Sequence, residues 1–151
     1  MMKFKFIILV FALLFTSLTS IEAADRARAK IVLSKTNRAI GVAQMTVKRT
    51  KKYTGKLGKA VKEARIARKY YIEGNYDKSI HHSLYARRLA TEVIKENNAK
   101  IGSDNINSTD ENAFVATSPS DEELIRETNA TNPVELKDED LMNGNLEVEV
   151  Q

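Results

Sequence analysis

Apolar residues recur every three to four positions in three stretches of this chain, with polar residues between them. Over residues 25–49 the stripe is Ala29, Leu33, Thr36, Ile40, Ala43 and Val47, with Arg26, Arg28, Lys35, Arg38 and Lys48 mostly off it. Over residues 59–97 it is Ala60, Ala64, Ala67 and Tyr71, then Ile80, Ser83, Ala86, Ala90 and Val93. That spacing places each set on one face of a helix. Glu73-Gly74-Asn75-Tyr76-Asp77 parts the last two helices. Gly and Asn tolerate the left-handed conformation that ends a helix, and Asp77 is placed to cap the next one. Residues 50–58, with Lys51, Lys52, Lys56 and two glycines, read as a basic connector. The expected fold is all-α: an antiparallel helical hairpin or an up-down-up three-helix bundle, followed by a disordered acidic C-terminal tail.

Two features weaken the pattern. Gly41 interrupts the first helix at a cost of about 1 kcal/mol against alanine, unless it permits close contact with a neighbouring helix. The seam is mostly alanine and serine, which bring helices close but remove little area at about 25 cal/mol per Å². Marginal stability, or help from a partner or self-association, is therefore expected. At the seam, Ala67 and Ala86 are the positions expected at close helix contact.

Before the helical region, Lys3 and Lys5 precede an unbroken apolar run from Phe6 to Phe15, small polar residues Thr16 to Ser20, and the exit Ile21-Glu22-Ala23. That layout is a secretory signal peptide over residues 1–23, with the mature chain beginning near Ala24. The run is shorter than the ~20 residues a bilayer core needs, and an uncleaved anchor extending to Ile21 is the alternative. With no cysteine, disulfides, thiolate metal sites and lipid attachment through cysteine are excluded. Secreted or periplasmic location in a bacterium is the expectation, with no transmembrane span in the mature chain.

From residue 101 the composition turns to Asp, Glu, Asn, Ser and Thr without sustained apolar period, the signature of a largely disordered segment. Ser120-Asp121-Glu122-Glu123 ahead of Leu124-Ile125 is a capping box for a turn or two of helix. After Asn143-Gly144, Leu146, Val148 and Val150 alternate with Glu147 and Glu149, a short strand-like pattern suited to the edge of a partner's sheet. Asn107-Ser108-Thr109 and Asn129-Ala130-Thr131 fit the glycosylation acceptor pattern, which has meaning only in a eukaryotic host.

Ala67, Tyr70, Gly74-Asn75-Tyr76-Asp77-Lys78-Ser79-Ile80, Ser83, Ala86 and Leu89-Ala90, in that order, resemble a single tetratricopeptide helix–turn–helix. The resemblance covers roughly 35 residues. The large aromatic of the first helix and the closing proline of that pattern are absent, and no second copy follows. The resemblance implies a hairpin of closely approaching helices and an interaction role.

The net charge of +4 conceals a separation. Residues 24–100 hold 20 basic against 6 acidic side chains, a net of +14, and residues 101–151 hold 2 against 13, a net of −11. Such asymmetry suggests a basic binding surface with an acidic appendage. Tyr70, Tyr71, Tyr76 and Tyr85 sit where helix packing explains them, so nucleic acid is a poor match.

No catalytic, cofactor-binding or metal site emerges. His81 and His82 point about 100° apart on a helix and cannot share one ion, and Asp77 with His81 lacks a third ligand. Both histidines read as surface residues. Glu63, Glu73, Glu92 and Glu96 are embedded among cations, and no nucleophile motif or phosphate loop occurs. The expectation is a small exported helical interaction protein, not an enzyme, binding a protein partner through its hairpin. The alternative is an envelope or extracellular structural protein whose basic face binds a polyanion: anionic lipid, cell-wall polymer or polysaccharide.

Overall fold

The structure is a computed structural model that describes the backbone of residues 2–148 and the side chains of residues 22–148. Five helices follow one another: α1 (Met2–Thr50), α2 (Lys56–Ile72), α3 (Tyr76–Glu96), α4 (Thr109–Ala116) and α5 (Asp121–Thr131). Short 3-10 turns lie at Ser103–Asn105 and Glu139–Leu141. The fold is all-α. Among the described residues there is no strand, and over residues 22–148 no helix is long and apolar enough to cross a membrane. The segment read as a signal peptide lies, over residues 1–21, outside the described side chains.

The first three helices form the bundle that the periodicity predicts. Every residue of the three apolar stripes is buried. Helix α3 packs against both α1 and α2, while the α1–α2 seam is the most open of the three. Gly74, at φ 80, ends α2, and the side chain of Asn75 caps α3 by accepting from the backbone N–H of Lys78. The cap is thus Asn75 and not Asp77, which lies in the first turn, where its charge suits the helix N-terminus. Helix α2 begins at Lys56 and so takes in the last three residues of the expected connector. Gly41 does not interrupt α1, and a Cβ built on it would meet nothing within 4 Å, so it provides no close approach.

The acidic segment differs from its expected disorder. Capping boxes at Ser108/Glu111 and Ser120/Glu123 start α4 and α5. Leu124, Leu141, Met142, Leu146 and Val148 bury themselves in the same apolar cluster as Ile40, Val47, Leu57, Val61 and Val93. A second cluster, around Leu33, Tyr71, Ile80 and Leu84, takes Phe114 of α4 at its edge. The physical reason is complementarity: isolated apolar residues and carboxylates that cannot fold alone meet a thin, cationic bundle that is short of both. The alternation at 146–148 is real but makes no strand; Leu146 and Val148 face the bundle and Glu147 faces out. Val150 lies outside the described residues.

Candidate functional site

The C-terminal segment is seated on the bundle at three built polar positions. The first is the start of α2. A helix N-terminus presents unpaired N–H groups, and Gly55, at φ 73, gives α2 no side-chain cap of its own. Asp138 supplies one from outside. Thr54 and Gly55 donate backbone N–H to its Oδ2 at 2.9 and 2.8 Å, and Gly58 donates to Oδ1 at 2.8 Å. Asp138 is only 1% exposed. The incoming chain passes so close that a Cβ on Gly58 would lie 1.9 Å from the carbonyl oxygen of Leu136.

The second position is built on Arg87, a cation on the buried face of α3 at 1% exposure. Its guanidinium donates to the carbonyl of Val32 at 3.0 Å and to the hydroxyl of Thr36 at 3.2 Å, both on α1. It also meets Glu111 of α4 at 3.0 Å, and Lys35 reaches the other oxygen of that carboxylate at 2.9 Å. Burial lowers the Arg87 pKa, with the Glu111 charge opposing. Burial pushes the Glu111 carboxyl up, but hydrogen bonds from Lys35 and the Ser108 backbone and the Arg87 charge outweigh it and hold it low. A buried guanidinium needs such a partner, because an uncompensated buried charge is strongly destabilising.

The third position joins α2, α3 and α5. His82 is wholly buried, with Nδ1 2.7 Å from Oε2 of Glu63, and the Thr128 hydroxyl donates to the same oxygen at 2.9 Å. Glu127 accepts from the Tyr70 hydroxyl and from Lys78, and its Oε2 lies 3.5 Å from Nε2 of His82. Burial raises the Glu127 carboxyl, yet the hydrogen bonds of Lys78 and Tyr70 and the charges of Lys78 and His82 dominate and bring it to about 2. Tyr70 is shifted the other way, by burial and by Glu127. His82 and Glu63 have the residue types of an acid–base pair. In the folded chain, however, a general base must come within reach of a substrate proton, and this ring has no exposed atom.

The residues singled out in the sequence divide accordingly. His82 is a core histidine, a correction to its surface reading, because α5 covers it. Half-buried His81 packs edge-on to Phe114 at 6.0 Å, and burial lowers its pKa, with Asp77 opposing. Glu63 belongs to the buried cluster, while Glu92 and Glu96 pair with Lys56 and Glu73 approaches Lys69. Among the described residues no group of His, Cys, Asp and Glu is arranged to hold a metal ion. Asn107 accepts from Arg87 and Asn129 from Lys62, so both acceptor-pattern asparagines are tied to the bundle. The signal that could have found Glu63 and Arg87 is their place on apolar faces, Glu63 beside Ala60, Ala64 and Ala67, and Arg87 beside Ser83, Ala86 and Ala90. Comparison with family models, curated proteins and solved structures finds no match to this chain.

Proposed function

We propose that the chain is a small exported helical interaction protein, without catalytic activity, that holds a protein partner on its bundle in the periplasm or outside the cell. One observation carries this reading. The bundle's cations and apolar furrows are already shaped around acidic polypeptide, with Asp138, Glu111 and Glu127 each seated among converging donors. The tetratricopeptide-like turn supports the same role. The N-terminal layout supports export, and release near Ala24 would cost the bundle little, since Ala29 is the first fully buried residue described. Cell fractionation followed by recovery of what co-purifies with the full chain tests it. The expected result is a mature chain beginning near Ala24, in the periplasm or medium, with a protein bound. Retention of residues 1–22 in the membrane pellet contradicts export and release, and a chain that recovers no protein contradicts the interaction role.

A second reading, binding of a polyanion, is favoured by the exposed Lys48, Arg49, Lys51 and Lys52 at the end of α1. Among the described residues no carboxylate lies within ion-pair range of these four. Cations there also complement the helix dipole, which explains part of their placement. Retention of the full chain on heparin or anionic vesicles, lost in Lys48→Glu/Lys51→Glu and fading with salt, would select this reading.

A further inference from the structure

The α1–α2 seam is the most open in the bundle, and residues 141–148 lie along it. Their side chains Leu141, Met142, Leu146 and Val148 complete the apolar cluster below. What holds their backbone is unusual: apart from a long Arg65–Glu147 approach, donors on the helices reach carbonyl oxygens and not side chains. From α1, Gln44 donates to Leu141 at 2.5 Å and to Gly144 at 3.4 Å, and Asn37 donates to Val148 at 2.8 Å. From α2, Arg65 donates to Leu146 at 3.0 Å and Arg68 to Glu147 at 3.4 Å. Main-chain contacts of this kind hold a peptide with little regard to its sequence, here one that bends and turns at Glu147 (φ 54), while the apolar sites that take Leu146 and Val148 set the preference. The fit to this occupant is incomplete. Among the described residues, the buried Oδ1 of Asn37 and Nε of Arg68 have no partner. Buried polar atoms left unmet cost free energy, and both belong to side chains that donate to this segment.

We propose that the furrow between α1 and α2 is a groove for a short, irregular segment of a partner protein, with apolar residues two apart and an acidic one between them. Residues 141–148 occupy it in cis. The acidic preference follows from Arg65, which lies 3.9 Å from the outward Glu147, and from Arg68 beside it. A tethered occupant sees an effective concentration of order millimolar, so a partner binds only by outcompeting it. Its unmet contacts at Asn37 and Arg68 leave room for a better ligand. This deepens the interaction reading and rests on it for the existence of a partner.

The test is titration of a fluorescent peptide copying residues 140–148 into the full chain and into full-chain Leu146→Asp/Val148→Asp. The variant should bind the peptide at least about tenfold more tightly than the unaltered chain, because the tethered competitor is gone. Adding Asn37→Ala and Arg65→Ala should abolish that gain. A peptide with Asp at the positions of Leu146 and Val148 should bind neither chain. A variant of unchanged helicity that binds no tighter, or binds the Asp peptide equally, overturns the proposal. Should the variant lose helicity, amide exchange on the unaltered chain decides: residues 146–148 must open locally, faster than Val93 of α3. Exchange of both only on global unfolding makes the segment an inseparable part of the core and overturns the groove. A dimer of the unaltered chain in light scattering would place a second copy's segment there, and overturns occupancy in cis. The titration needs no partner, so its failure is distinct from failure of the interaction reading, which co-purification judges.

Discussion

Two glycines of this chain sit inside helices and should respond oppositely to alanine. At Gly58 a Cβ meets the Leu136 carbonyl at 1.9 Å, whereas at Gly41 it meets nothing within 4 Å. Gly58→Ala must displace the segment that delivers Asp138, at a cost of about 1–3 kcal/mol. Gly41→Ala gains helix propensity and should stabilise by about 0.5–1 kcal/mol. Thermal unfolding midpoints should therefore move in opposite directions, and a neutral Gly58→Ala would mean that residues 136–138 do not lie over α2. Glu127 gives a pH signature at the same scale. Its folded pKa is depressed from 4.5 to about 2, so its contribution is fully present above 4.5 and lost as pH falls toward 2. Glu127→Gln should be less stable than the parent at neutral pH, with the two converging near pH 2. A constant difference across that window would show that its contacts do not depend on charge.

At the scale of elements, the three long helices were legible because each carries its own period. Every stripe residue from Ala29 to Val93 is buried, since a face of one helix can be recognised without knowing what covers it. Of residues 102–148 only the capping box that opens α5 was legible; their docking was not, because its causes are non-local. Leu124, Leu141 and Leu146 are too sparse to announce a core, and Asp138, Glu111 and Glu127 count as disorder-promoting charge until their donors on α1–α3 are in place. His82 was misjudged for the same reason, its cover arriving from α5, some 45 residues along the chain. The hairpin also gives a prediction at this scale. Ala67 and Ala86 have no exposed surface, so Ala67→Leu or Ala86→Leu should cost about 1–3 kcal/mol by forcing helices apart. Unfolding midpoints equal to the parent's would place both alanines outside the tight seam.

For the whole molecule, the separation of +14 from −11 is a design for self-association within one chain. Exposed ion pairs such as Arg38–Asp104 and Arg88–Asp121 contribute little singly. The buried anchors and the apolar residues between them hold the segment down, so it should stay docked at salt concentrations that screen surface charge. The absence of cysteine permits one clean measurement. Lys59 is exposed and borders the cleft of about 670 Å³ that Leu136 and Asp138 also line. A nitroxide on Lys59→Cys in the full chain should therefore broaden the amide resonances of residues 133–139 in moderate salt, while those of residues 109–116 on α4 keep more of their intensity. Uniformly sharp, random-coil resonances across residues 109–148 would contradict the docked segment, and with it the account of the bundle as a surface shaped for acidic polypeptide.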